Sequence, residues 1–120
     1  MRIRLVNVVV PSRHFTESVV FYRDTLGLPV TFENETCCFV QAGGAQIALH
    51  PVAEDSPFLP TGHGFYLDMI VDDMETVKAR LTAAGCAPLR EWTDPGGTPF
   101  LLVADPDGNR IEIYTETGSA

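Results

Sequence analysis

Carboxylates and aromatic rings on strand-like segments are the side chains of this sequence best suited to chemistry. Asp68 interrupts the apolar segment Phe65–Val71, and because burial of an unpaired carboxylate is costly, it must be paired, exposed or in a hydrated cleft. Glu112 and Tyr114 share one face of a strand predicted over Asn109–Thr115. Such carboxylates could attract a cation, transfer a proton or bind a metal. The alternative to a functional role for Glu112 is a solvated position on an edge strand.

Strand alternation adds further polar and aromatic side chains that could line the same small-molecule pocket. The candidate ligand-binding residues are Asn7, Gln46, His50, Tyr66, Asp68, Trp92, Glu112 and Tyr114. Phe39 and Phe100 could add aromatic surface, although aromatic residues on strands belong to the core more often than to a binding surface. No serine or cysteine nucleophile elbow and no partnered histidine is recognisable, so the catalytic residues stay unassigned.

The composition indicates one acidic globular domain, residues 1–120. Hydrophobic residues make up 45% and charged residues 20% of the chain, which is enough apolar material for a core without disulfides or metals. The formal net charge of −8 argues against nucleic-acid binding, which needs clustered lysine and arginine. An acidic surface could attract a cationic ligand, although it is more often a solubility feature.

The apolar runs and the cysteines indicate a cytoplasmic protein that does not enter membranes. No apolar run is long enough to cross a bilayer. Asn7 interrupts the N-terminal run Leu5–Val10 and Pro11 ends it, which favours a strand over a signal peptide. The cysteines are Cys37, Cys38 and Cys86, and the first two are adjacent and point to opposite faces of a strand. This pattern is neither a disulfide framework nor a zinc-site spacing, so we expect reduced, mostly buried thiols.

Two segments repeat the same order of predicted elements, a strand, a helix and three strands. The first contains strands at Ile3–Val10, Val30–Glu33, Thr36–Gln41 and Ala45–His50. Its helix is indicated by an apolar stripe of Phe15, Val19, Tyr22 and Leu26. Gly27 ends the helix and Pro29 prevents its continuation, while Asn34-Glu35 and Gly43-Gly44 supply the turns between strands.

The second segment follows a proline-containing linker, residues 51–63, and begins with the strand Phe65–Val71. Asp72 and Glu75 form a helix-start pair. The helix itself is indicated by the stripe Met74, Val77, Leu81 and Ala84, after which Gly85 repeats the role of Gly27. Three strands follow, near Pro88–Trp92, Thr98–Ala104 and Asn109–Thr115.

This repetition predicts an α+β fold of two βαβββ modules, at residues 1–50 and 64–120. Weak similarity between Gly44–Leu49 and Gly108–Ile113 supports a duplication. A four-stranded sheet cannot close on itself, so the two mixed sheets are expected to face each other around a curved, barrel-like cleft. The helices would then cover the outer faces.

Two motifs carry a resemblance to a known superfamily. The first is Ser18–Leu28, SVVFYRDTLGL, and the second is Val103–Ile113, VADPDGNRIEI. In the second, Pro106 fixes φ and Gly108 can take a positive φ, so the turn sets the register of the following strand. Together, at this separation, the motifs resemble the vicinal oxygen chelate superfamily of glyoxalases, bleomycin resistance proteins and extradiol dioxygenases. The resemblance covers nearly the whole chain.

The resemblance also indicates where a metal would bind. Metal-dependent members have one ligand on each of four strands, and those positions fall on Asn7, Ala48, Tyr66 (or Gly64 in another register) and Glu112. An amide, a methyl group and a phenol are poor partners for one carboxylate around a transition metal, so we expect no metal cofactor. The remaining alternative is a divalent metal held by His50, Glu112 and a third donor.

Three functions follow from these residues and this resemblance. The leading hypothesis is a metal-independent, homodimeric protein that binds a small aromatic or cationic molecule, as in antibiotic tolerance of the bleomycin-resistance type. The second is a metal-dependent lyase, isomerase or dioxygenase that uses Glu112 with nonstandard partners. The third is a metal-free enzyme in which Glu112, Tyr66 or His50 transfers a proton. The absence of histidine at Asn7 and Tyr66 counts against the second hypothesis.

Overall fold

The computed structural model describes residues 1–2, 4–59 and 65–115 of the chain. Contacts between residues divide the chain into two compact units, Met1–His63 and Gly64–Ala120. Each unit contains a strand, a helix and three further strands, and its four strands form one mixed sheet. The predicted α+β fold of two βαβββ modules is therefore confirmed. The facing of the two sheets around a cleft stays a prediction, and Gly64, the alternative metal position, lies outside the described residues.

The first unit builds its sheet from strands β1 to β4. Their bounds are Val8–Ser12 (β1), Val30–Asn34 (β2), Cys37–Ala42 (β3) and Ala45–Pro51 (β4), and their order in the sheet is β1-β4-β3-β2. Strand β1 is parallel to β4, and the other neighbours are antiparallel. The side chain of Asn34 accepts the backbone N–H groups of Thr36 and Cys37, and Gly43 has a φ of 59°. The Gly43-Gly44 turn is thus confirmed, whereas the first turn lies one residue later than predicted, at Glu35-Thr36.

Strand β1 differs from the predicted Ile3–Val10. It begins at Val8 and continues through Pro11 to Ser12, while Ile3 lies outside the described residues. Proline is accommodated because β1 is the end strand of its sheet, where one side of the backbone needs no partner within that sheet. The expectation that Pro11 ends the strand is therefore wrong.

The first helix is partly wider than an α-helix. Helix α1 spans Phe15–Val19, and a π-helical segment continues over Val20–Thr25. Hydrogen bonds in a π-helix join residues five apart, as from the backbone N–H of Leu26 to the carbonyl of Phe21 at 2.9 Å. The wider turn buries Phe21 beside Tyr22, although the predicted stripe, which assumes α-helical spacing, omits Phe21.

The second unit repeats this arrangement. Its strands are Leu67–Val71 (β5), Arg90–Thr93 (β6), Pro99–Ala104 (β7) and Arg110–Thr115 (β8), in the order β5-β8-β7-β6. Strand β5 is parallel to β8, and the other neighbours are antiparallel. Helix α2 spans Met74–Ala83, and Gly85 follows it with a φ of 73°, the same angle as Gly27 after the first helix.

The cap of α2 lies one residue later than predicted. Asp73 has extended backbone angles, and its carboxylate accepts the N–H of Thr76 at 3.2 Å and the hydroxyl of Thr76 at 2.6 Å. The predicted pair, Asp72 and Glu75, has the same three-residue spacing. The prediction of Asp72 is wrong because spacing alone does not show which aspartate precedes the helical backbone.

Each sheet buries one of its faces in the core of its own unit. The first core contains Val10, Val40, Ile47 and Leu49 from strands with Val19 and Tyr22, and the second contains Leu101, Val103, Ile111 and Ile113 with Met74 and Leu81. Because side chains alternate along a strand, the residues between these project from the opposite face of each sheet.

Two further predictions concern thiols and membranes. Cys37 and Cys38 are buried free thiols, and Cys86 is partly exposed. Burial raises the pKa of the Cys38 thiol, which keeps it protonated and unreactive. No helix in the described part of the chain has the length and apolar character needed to cross a bilayer.

Candidate functional site

The second sheet presents aromatic and charged side chains on the face opposite its core. Register pairs across the four strands define this candidate face, whose members are Asp68, Ile70, Arg90, Trp92, Phe100, Leu102, Glu112 and Tyr114. One cross-strand row runs Asp68, Glu112, Leu102, Arg90, and the next runs Ile70, Tyr114, Phe100, Trp92. The register therefore places carboxylates and aromatic rings in neighbouring rows.

Three of the rings form a continuous stack. Trp92 and Phe100 lie with centroids 5.2 Å apart and planes at 9°, and Phe100 and Tyr114 lie 5.2 Å apart with planes at 21°. The spacing follows from the sheet, because register partners on adjacent strands are about 5 Å apart. We call Trp92, Phe100 and Tyr114 the aromatic stack. All three side chains are partly exposed, so the aromatic stack presents apolar ring atoms on three strands.

Arg90 lies over the end of the aromatic stack. Its guanidinium carbon is 4.9 Å from the centroid of the Trp92 ring, and the two residues are two positions apart on β6 and share its candidate face. A cation at this distance is attracted to the negative face of an indole. Strand alternation would have indicated this pair, but Arg90 was missing from the candidates predicted from the sequence.

Asp68 and Glu112 form a carboxyl pair on the same face. They are register partners on the parallel strands β5 and β8. Partial burial raises the pKa of Glu112 above its usual value, and the hydrogen bond to Asp68 and the negative charge of Asp68 raise the pKa of Glu112 further. Because two adjacent carboxylates repel, the pair favours holding a proton, and a nearby cation would favour releasing it.

The first sheet holds its predicted residues in a neutral hydrogen-bonded arrangement. The side-chain amide of Gln46 donates to the Asn7 carboxamide oxygen at 2.6 Å, and the Thr31 hydroxyl donates to the Gln46 carboxamide oxygen at 3.2 Å. His50 lies on the same face of β4, with its ring centroid 6.2 Å from that of Phe39. Thr31 was missing from the candidates predicted from the sequence, because strand register, which the sequence does not fix, decides that it lies near Gln46.

Tyr66 is the one predicted residue of the second unit that lies outside its strands. It lies directly before β5 and is 59% exposed. The structure thus brings together Asp68 with Glu112, Trp92 with Tyr114 through Phe100, and Asn7 with Gln46. How the candidate residues of the first unit lie relative to those of the second unit stays a prediction.

Two of the four metal positions that the resemblance implies, Asn7 and Ala48, offer no strong donor to a transition metal. The Asn7 carboxamide oxygen already accepts a hydrogen bond, and the side chain at Ala48 is a fully buried methyl group. Within residues 1–2, 4–59 and 65–115, no group of three or more histidine, cysteine, aspartate or glutamate side chains could hold a metal ion. Glu112 has its partner in Asp68 instead.

A cavity of about 230 Å³ lies beside the aromatic stack, between α2 and the strands β6 and β7. Met74 and Lys78 line it from the helix, and an ion pair of 2.9 Å joins Lys78 to Glu91 on β6. Small-molecule pockets typically enclose about 300–1,000 Å³. The cavity is smaller than that, and Trp92 and Phe100 of the aromatic stack are among the residues that line it.

Comparison with known proteins agrees with this fold. A model of the Glyoxalase/Bleomycin resistance protein/Dioxygenase superfamily matches residues 4–113. A glyoxalase-related enzyme from Fulvimarina pelagi is similar in structure at 27% identity and a TM-score of 0.76, over 94% of this chain and 88% of that one. No curated protein matches the sequence.

Two more distant structures show the same fold. A lactoylglutathione lyase from Agrobacterium tumefaciens matches at 18% identity and a TM-score of 0.70, over 95% of this chain and 94% of that one. A glyoxalase family protein from Enterococcus faecalis matches at 21% identity and a TM-score of 0.72, over 92% of this chain and 96% of that one. Since the family model spans nearly the whole sequence, the chain belongs to the Glyoxalase/Bleomycin resistance protein/Dioxygenase superfamily.

Proposed function

We propose that this protein binds a small, positively charged aromatic molecule on the candidate face of its second sheet, without a metal. The observation that carries the proposal is the placement of the aromatic stack next to the Asp68–Glu112 pair. Glu112 and Tyr114 are two residues apart on one face of β8, a separation of about 7 Å. One molecule of modest size could therefore stack on a ring and bring a cation to the carboxyl pair.

The chemistry of both parts favours this class of ligand. A flat aromatic ligand gains contact area and stacking geometry against rings that are already held in place. A cation near Glu112 would stabilise the ionised form of the pair and so oppose the rise in the pKa of Glu112 that burial and Asp68 cause. The net charge of −8 would assist the approach of such a ligand.

Metal independence is supported by the chemistry of the donor positions. An amide that already accepts a hydrogen bond and a buried methyl group supply no strong donors at Asn7 and Ala48. The superfamily includes bleomycin resistance proteins. A member that catalyses no reaction could therefore act by sequestering a toxic compound. The cytoplasmic location and the homodimer stay predictions.

Proton transfer is the second candidate function, and the raised pKa of Glu112 favours it. A carboxyl group whose pKa is raised by burial and by an adjacent carboxyl group holds its proton more tightly than an ordinary carboxyl group, which suits a role in proton exchange. In this case Glu112 would exchange a proton with a ligand bound against the aromatic stack, and Asp68 would tune its pKa.

Calorimetric titration with a matched pair of probes tests the proposal. Naphthalene amidinium and naphthoate have the same ring and planar charged groups of opposite sign. We expect the amidinium to bind more tightly, and Glu112→Gln and Trp92→Leu each to weaken it. Glu75→Gln, an exposed helix carboxylate, and Phe58→Leu, an exposed ring, are the matched controls.

Two results would overturn the proposal. Amidinium affinity that is indifferent to both Glu112→Gln and Trp92→Leu would place any binding elsewhere. A near-equimolar transition metal in elemental analysis of the purified protein, lost on Glu112→Ala, would restore the metal-dependent lyase, isomerase or dioxygenase.

A further inference from the structure

Arg90 supplies the free protein with a cation of its own on the aromatic stack. Its guanidinium lies 4.9 Å from the Trp92 ring centroid, at the end strand of the sheet. Among the described residues no carboxylate forms an ion pair with Arg90. Within the part of the chain that the structure describes, the contact of the guanidinium is with the Trp92 ring, and displacing Arg90 breaks no salt bridge there.

We infer that Arg90 is a specificity-determining residue, which occupies the Trp92 ring until a planar cationic ligand displaces it. The inference rests on the proposed function and deepens it. A guanidinium is planar, delocalised and weakly hydrated, and it stacks on aromatic faces. The guanidinium on Trp92 thus indicates the class of ligand group that can replace it on the ring. That class is a flat cation, such as an amidinium, a guanidinium or an aromatic iminium.

Arg90 also discriminates between ligands by charge. It lies in the same cross-strand row as Glu112, two strands away, which is about 10 Å. A ligand cation must break the contact between Arg90 and Trp92 and approach a like charge. A ligand anion can leave Arg90 in place and pair with it. Arg90 therefore lowers the affinity of the face for cations and raises it for anions.

The size of the effect follows from the exposure of the pair. A cation–π contact at an exposed site corresponds to about two- to fivefold in a dissociation constant. We therefore expect Arg90→Ala to tighten naphthalene amidinium by about two- to fivefold and to weaken naphthoate by a similar factor. Arg90→Lys keeps the positive charge but removes the planar group. It should therefore keep most of the effect of Arg90 on charge selectivity and lose more of the contact with the Trp92 ring.

A measurement without ligand tests whether Arg90 covers the ring. Trp92 is the single tryptophan of the chain, so tryptophan fluorescence reports on this residue alone. Removing the guanidinium should raise the acrylamide quenching constant of Trp92 in Arg90→Ala. Arg80→Ala removes an exposed helix arginine and is the matched control, expected to leave quenching unchanged. Equal quenching in wild type and Arg90→Ala would overturn the inference.

The titrations separate failure of this inference from failure of the proposed function. If the amidinium binds wild type in a manner that depends on Trp92, and Arg90→Ala leaves its affinity unchanged or lowers it, the proposed function stands and the role of Arg90 is wrong. If neither probe binds wild type or Arg90→Ala, both fail. Tightening of the amidinium in Arg90→Ala but not in Arg80→Ala supports both.

Discussion

Replacing the central ring of the aromatic stack tests whether the stack is held as a unit. Phe100 is the one member that contacts two other rings, Trp92 and Tyr114, each at 5.2 Å. Phe100→Leu keeps an apolar side chain of similar volume but removes both stacking contacts. Trp92→Leu, by contrast, removes one stacking contact together with the contact to Arg90.

The expected loss of stability can be worked out from these contacts. Each stacked aromatic pair contributes about 0.5–1.5 kcal/mol beyond its buried area, so two pairs correspond to about 1–3 kcal/mol. A hydrophobic substitution that preserves volume usually costs less than about 1.5 kcal/mol by itself. We therefore expect the free energy of unfolding to fall by about 1–3 kcal/mol in Phe100→Leu.

Urea unfolding followed by Trp92 fluorescence measures this change, with Phe58→Leu as the control. Phe58 is 79% exposed, so its replacement should change stability by less than about 0.5 kcal/mol. A double-mutant cycle with Tyr114→Leu then isolates the coupling between neighbouring rings. Equal losses in Phe100→Leu and Phe58→Leu, or zero coupling to Tyr114, would refute the account of a stack that is organised before a ligand arrives.

Three further predictions concern carboxylates. The folded protein holds the proton of Glu112 to higher pH than the unfolded chain does, so protonated Glu112 contributes fully to stability below the ordinary carboxyl range, and this contribution is lost as pH rises through the folded pKa. Urea unfolding at a series of pH values should show this decline in wild type and not in Glu112→Gln, and the same pH dependence in both proteins would contradict the prediction. Asp105→Ala removes the acceptor for backbone N–H groups including that of Asn109 at 2.8 Å, and should lower the free energy of unfolding by about 1–3 kcal/mol. Asp73→Ala should cost about 1 kcal/mol by the same measurement, whereas Asp72→Ala should cost little, and the reverse order would return the cap to Asp72.

Strand positions were predictable because alternation and turn residues act locally. The predicted Thr98–Ala104 and Asn109–Thr115 each differ from the observed β7 and β8 by one residue. The helix was less predictable, since the π-helical segment Val20–Thr25 replaces the α-helical spacing on which the stripe was based. Its hydrogen bonds join residues five apart, so the burial of Phe21 depends on packing rather than on a local sequence signal.

The candidate site was predictable as faces but not as contacts. Alternation placed Glu112 and Tyr114 on one face of β8, and the structure agrees. Alternation does not fix which residue of β5 lies opposite Glu112, because the register of two distant parallel strands depends on tertiary packing. The pairing with Asp68 and the hydrogen bond of Asn7 to Gln46 therefore required the structure.

The repeated fold supplies an internal control for the meaning of the carboxyl pair. The similarity between Gly44–Leu49 and Gly108–Ile113 aligns Ala48 with Glu112, and the partner of Ala48 on its parallel neighbour strand is Val9. The same row of the same fold is thus apolar in one unit and holds Asp68 with Glu112 in the other. Because Val9 and Ala48 satisfy the fold at this row, the fold does not require two carboxyl groups that repel each other when ionised. An arrangement that weakens the folded state at high pH without a structural need supports a role in binding or proton transfer.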